Sequence, residues 1–237
     1  MDIYLKCPRQ YFYDFMLSLD GRRDDTAYVL FHRAVYEVMR WMRSERHAGR
    51  SVDIMSAEVH LDQLWSRSGP HDHPYAPIYR QSASVSLRRA VERFIRITGD
   101  VLRPTWAIDL PHGRVLVTPD EVEVIDAPAG RIVSVRRFRT SRPSSSETDH
   151  NIYGLYHRGV QTAFPGAAHR VETIYLTTNE RKPVSLNPKP IQTRLDRYDE
   201  AIKGIEAGNF TPQPDDRECP KCPHYFICPL AEDRIAP

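Results

Sequence analysis

Cysteine is scarce: four residues among 237, too few for a disulfide scaffold in a chain of this size. Long apolar runs are missing; none approaches the ~18 residues that a membrane span needs, so no membrane partner is expected. The first turns carry Asp2 and Lys6 and no cleavable signal pattern, which argues for the cytoplasm over secretion. The net charge is only +2 and does not by itself announce a nucleic-acid binder. Internal repeats and low-complexity tracts are absent too. Acid is missing locally: none falls between Ala127 and Ser146, where Arg131, Arg136, Arg137, Arg139 and Arg142 all stand. What remains is ordinary for a globular chain, 41% hydrophobic and 27% charged, and long enough to bury a core.

Asp2 to Leu19 is helical in pattern and rich in aromatics, with Asp20-Gly21 as its end. It opens without a capping box, which reads as a helix cut at its front and the chain as a piece of a longer polypeptide. Helices are expected over Tyr28–Met42, Val52–Trp65 and Gln81–Val101, the last with Val85, Ala90, Val91, Phe94 and Ile95 inward. A proline- and histidine-rich loop, Gly69 to Pro77, lies between the last two; His71 and His73 flank Asp72 there, and the loop reading outweighs a metal site. The period then shortens. Thr105–Leu110, Arg114–Thr118, Glu121–Ile125 and Arg131–Arg139 read as strands of one mostly continuous sheet. A helix over Glu147–Phe164, a strand Arg170–Thr177, an extended piece near Lys182–Leu186 and a helix Ile191–Ala207 stopped by Gly208 complete the pattern. The expectation is a single α/β domain over 1–237: mainly helical over 1–102, a sheet core with flanking helices over 103–207, and a cysteine-rich tail over 208–237.

Cys219, Cys222 and Cys228 form C-x2-C-x5-C, a spacing that turns several thiolates onto one metal centre, and Cys7 is the only cysteine left to be a fourth ligand. An iron–sulfur cluster accepts four thiolates, and so does zinc. The spacing alone leaves both open.

Cys7-Pro8-x-x-Tyr11 and C-x2-C-x5-C-Pro resemble the cluster-bearing PD-(D/E)XK nucleases, which include AddB-type helicase–nuclease subunits and CRISPR adaptation nucleases. Over nearly its full length the chain is similar to the C-terminal nuclease-like domain of bacterial UvrD-type helicases. The resemblance is carried by Cys7-Pro8-Arg9, Tyr28-x-x-Phe31-His32-Arg33, Pro119-Asp120, Arg136 to Thr140 (RRFRT) and Cys222 to Pro229 (CPHYFICP). It implies a restriction-endonuclease-like core, a mixed central sheet flanked by helices, and a [4Fe–4S] cluster on the four cysteines. Such a staple offsets loop-closure entropy on the order of 5 kcal/mol.

The same resemblance implies an active site of one histidine, one aspartate and a strand carrying acid-x-Lys, whose acids hold Mg²⁺ or Mn²⁺. His32 and Asp120 match the first two. The strand departs from the pattern, with Arg137-Phe138-Arg139 where acid-x-Lys belongs, and Ile152 stands where a glutamine precedes Tyr156 by four. Positions 137 and 139 share a strand face with Val133 and Val135, and arginine there replaces a ligand with a fixed charge. Glu121 and Glu123, alternating with valines, read as a solvated face. Without a metal partner His32 reads better as a core histidine hydrogen-bonded to backbone, and Asp120 is equally a turn residue. The reading is a DNA-binding domain without nuclease activity, in which Arg136, Arg137, Arg139 and Arg142 hold phosphates, single strands included. An active metal-dependent nuclease with a rearranged site and a scaffold docked on a helicase motor are its rivals. In the leading arrangement Asp120 pairs with an arginine.

Overall fold

The computed structural model describes residues 1–19, 25–128 and 130–229. The expected stop at Asp20-Gly21 lies outside them. The fold is mixed α/β, with helices on both faces of a five-stranded mixed sheet and further helices at the N-terminal end. By contacts the chain gathers into two compact units. One unit comprises Met1–Asp24, Ala107–Leu116 and Leu186–Pro237; the other comprises Asp25–Trp106 and Val117–Ser185.

The second unit is built on three long helices, α3 (Ala27–His47), α4 (Ile54–Ser68) and α5 (Ala76–Ile95). Thr26 caps α3 by accepting from the Val29 amide, and Asp53 forms a capping box with Ser56 at the start of α4. Helical spacing puts Phe31, Val35, Val38 and Met42 of α3 in one core with Leu61 and Trp65 of α4 and Leu87, Val91 and Phe94 of α5. The α5 stripe is rotated from the expected one: Val85 and Ile95 are exposed, while Ala83 and Leu87 are buried. Pro77 sits in the first turn of α5, where its missing N–H costs nothing, so the helix starts inside the expected loop. Its end is also earlier, because Asp100–Leu102 leaves the helix to become strand β1.

The sheet runs β1–β4–β5–β6–β7, with β4 at Glu121–Ala127, β5 at Gly130–Arg139, β6 at Ala168–Tyr175 and β7 at Glu180–Pro183. β4 and β5 are antiparallel, with Glu121 opposite Arg136. β5 and β6 are parallel, with Val135 opposite Val171, and α6 (Ile152–Ala163) makes the crossover such a pair requires. A short 3₁₀ turn, Ser145–Asp149, precedes α6, so the expected helix over Glu147–Phe164 is two pieces broken at the extended His150. At Gly159 a Cβ would stand 2.2 Å from the Trp106 ring, so only glycine lets this helix approach. The expected continuous sheet is not continuous: β2 (Trp106–Leu110) and β3 (Gly113–Val117) pair only with each other.

In the first unit the expected single helix over Asp2–Leu19 is three short segments: α1 (Asp2–Lys6), α2 (Pro8–Tyr11) and a π-helical turn, Phe12–Met16. Cys7 is extended between them (φ −159°, ψ 109°), the conformation that the Pro8 ring imposes on its predecessor. α7 (Pro188–Glu206) packs against α1 at Gly204, where a Cβ would meet the Tyr4 hydroxyl at 2.1 Å. Gly208 follows at φ +66°, the left-handed stop expected there. Among the described residues no helix is long and apolar enough to cross a membrane.

Candidate functional site

The four cysteines all lie in the first unit and line one cavity of about 120 Å³. The break at Cys7 takes that residue out of helical geometry, and each tail cysteine sits at a tight turn. The Cys222 amide donates to the Cys219 carbonyl and the Cys228 amide to that of Tyr225. The Asp215 amide donates to the Cys219 sulfur at 3.2 Å. Burial pushes the Cys222 thiol up, and the neighbouring Cys7 and Cys228 add to the shift. A cation beside Cys222 would offset that cost. Four sulfurs are the donor type that a thiophilic metal or a cluster takes.

The rim is held by buried polar contacts. His224, 3% exposed, meets Asp14 at 2.6 Å, and the Tyr13 hydroxyl donates to the Ile227 carbonyl at 3.2 Å. Lys6 pairs with Glu218. Tail and N-terminal segments are therefore joined by ion pairs and hydrogen bonds as well as by the cavity they enclose. Among the described residues, no three His, Cys, Asp or Glu side chains converge closely enough to hold one metal ion. His71 and His73 follow this pattern, with the His73 ring accepting from the Tyr75 amide.

The second unit holds the other expected site residues but does not gather them on one sheet face. Side-chain alternation puts Arg137 and Arg139 on the face that α6 covers, and Arg136 on the opposite one. Asp120, just before β4, accepts from the Phe138 amide through Oδ2 at 2.8 Å, fixing it beside the central strand. His32 and Tyr28 of α3 both reach the Thr140 hydroxyl, and Tyr36 donates to the Phe138 carbonyl. His32 is thus bound to a side chain, not to backbone. Its pKa is lowered by burial first and by Arg139 second, which keeps the ring neutral.

The expected pairing of Asp120 with an arginine is replaced by one with Glu147, a residue the sequence reading placed only in a helix. Glu147 is 2% exposed; Arg137 donates to one of its oxygens at 3.0 Å, and Arg139 stands 3.3 Å from the other. The Tyr153 hydroxyl donates to it at 2.5 Å, and burial with this carboxylate pushes Tyr153 up to about 12. The one available signal was an acid eight positions beyond Arg139 where a helix was about to start.

Arg136 and the two glutamates are placed differently from the expectation. Arg136 is buried and donates from Nε to Glu172 (2.7 Å), from Nη1 to Glu121 (2.9 Å) and from Nη2 to Glu123 (2.5 Å). Glu121 and Glu123 are 1% and 5% exposed, so they are not a solvated face. β4 is an interior strand, its neighbours are β1 and β5, and these acids face Arg136 and Arg93 instead of water. Arg142 is exposed.

Asp120 offers a direct test. Burial raises its pKa, more than the Phe138 amide and nearby Arg43 and Arg137 lower it. Folding therefore disfavours its charge, and stability falls as pH rises from the unfolded carboxyl value of about 4 through the folded one. Asp120→Asn keeps an oxygen for the Phe138 amide and carries no charge. It should melt above the wild type at pH 7, with the gap closing below pH 4. Equal melting temperatures at pH 7 would contradict the assignment.

Neither a family profile nor a curated protein matches this chain. Among solved structures, that of SSO0001 aligns over 97% of this chain and 96% of its own, at 14% identity and a TM-score of 0.39.

Proposed function

We propose that the chain is a catalytically inactive, nuclease-like domain that binds DNA, stapled by a [4Fe–4S] cluster on Cys7, Cys219, Cys222 and Cys228. Its setting is the C-terminal part of a UvrD-type helicase in the bacterial cytoplasm, where it serves repair or recombination beside the motor. The observation that carries the reading is the charge of the crevice. Where a nuclease of this kind needs acids for metal, Arg137 and Arg139 converge on one carboxylate, that of Glu147. Two permanent cations on one anion leave positive charge over, and Asp120 resists ionising. A divalent metal is repelled there, and a phosphate is attracted.

Arg139 keeps 31% of its side chain exposed against 18% for Arg137, so it is the arginine that phosphate reaches. Arg136 has no such freedom and belongs to the fold. The preference for a cluster over zinc rests on the resemblance of the cysteine frame, Cys7-Pro8 with C-x2-C-x5-C-Pro, to cluster-bearing nucleases, and all four cysteines line one cavity.

The double variant Arg139→Ala, Arg142→Ala separates DNA binding from a scaffold role. Glu147 keeps Arg137, so the fold should survive. Each lost phosphate contact should flatten the salt dependence on single strands by about 0.7, giving a drop of about 1.4 in slope. Unchanged affinity and slope, with the melting temperature also unchanged, would leave the scaffold reading.

A further inference from the structure

A second cationic cavity, about 310 Å³, opens on the sheet face opposite the crevice, between α5 and the strands β4 to β7. Its floor is Arg93 and Arg136, 8% and 3% exposed. Both are committed: Arg93 grips both oxygens of Glu121, and Arg136 holds Glu121, Glu123 and Glu172. The mouth is different. Arg89 and Arg96 come from α5, Arg170 from β6 and Arg181 from β7. Among the described residues none of these four makes an ion pair. Arg89 donates to the Leu176 carbonyl and Arg170 to the Ser134 hydroxyl, and Arg96 and Arg181 extend into solvent. Two acids share the lining: Glu123, which Arg136 holds on the floor, and Glu92.

Four guanidiniums facing one concave space repel each other, and packing does not require them, since each is exposed or half-buried. On the floor, the Arg93 Nε is buried without a hydrogen-bond partner. Low-dielectric walls concentrate such a field, and arginine cannot shed its charge to relieve it. The group that satisfies several planar forks at once is phosphate, through paired charge-assisted hydrogen bonds. The volume lies at the lower end for small-ligand pockets, enough for a few phosphoryl groups. No aromatic ring lines it, so a single-stranded base finds nothing to stack on.

We propose that this cavity binds a polyphosphate chain, either inorganic or as the tail of a nucleotide. The proposal is independent of the crevice. Calorimetric titration of the full chain at 0.15 M salt should use inorganic tripolyphosphate, ATP, AMP and an unphosphorylated oligothymidylate. Tripolyphosphate should bind. Arg96→Glu with Arg181→Glu, both exposed, should weaken it at least tenfold without moving the melting temperature of the free protein, and Arg96→Gln alone should fall between. ATP binding no tighter than tripolyphosphate, with AMP silent, assigns recognition to the chain alone; ATP at least tenfold tighter makes a nucleotide the source. Absence of tripolyphosphate binding, binding indifferent to the double variant, or displacement by oligothymidylate as effective as by ATP would overturn the proposal.

Discussion

Arg136→Ala should destabilise the protein by about 3–5 kcal/mol, because it leaves three buried carboxylates short of their shared cation. For a chain of this size that is a fall in melting temperature of about 6–20 °C. Arg136→Lys keeps the charge but not the planar fork that serves three acids at once, and should recover only part of the loss. The pH dependence carries the sign. Burial alone would raise the Glu121 carboxyl, but the hydrogen bonds and charges of Arg93 and Arg136 outweigh it and hold the carboxyl below its usual range. A depressed pKa contributes stability that is complete above the unfolded value, about 4.3, and is lost as pH falls through the folded one. In the alanine variant the uncompensated acids prefer to be protonated, so its deficit should shrink between pH 7 and pH 5. Thermal melts of both proteins across that interval measure it; a deficit independent of pH would contradict the network.

Cys7→Ser should abolish bound iron and destabilise as strongly as Cys222→Ser. The two residues lie at opposite ends of the chain and line the same cavity. A cluster joining them would remove loop-closure entropy worth about 5 kcal/mol, and such a thiolate cage binds only the folded chain. The Lys6–Glu218, Asp14–His224 and Tyr13–Ile227 contacts remain in the variant and join the same segments only by ion pairs and hydrogen bonds. Iron content and thermal melting after anaerobic purification decide this. Full iron and unaltered melting in Cys7→Ser would remove Cys7 from the ligand set.

Much of this was legible in the chain itself. The 3.6-residue stripes of α3 and α4 and the strand pattern of β4 and β5 fall within a few residues of their observed ends, because packing and periodicity agree there. The break at Cys7 was also readable, since Pro8 dictates it, yet the aromatic run invited a single helix. Alternation in β4 told that its two faces differ but not that both are covered. Only the sheet order makes Glu121 and Glu123 buried partners of Arg136. The Glu147 pairing lay beyond the sequence for another reason. A 3₁₀ turn and an extended His150 carry that acid back over the strand, and no local pattern encodes the return.

The most direct test of the account is incubation of the purified chain with 5′-labelled single- and double-stranded DNA in Mg²⁺ or Mn²⁺, with retention and cleavage read from the same samples. The account expects salt-sensitive retention and no cleavage above background. Metal-dependent cleavage that disappears in Asp120→Ala would contradict it, and would make Asp120 and Glu147 the acids of a rearranged nuclease site.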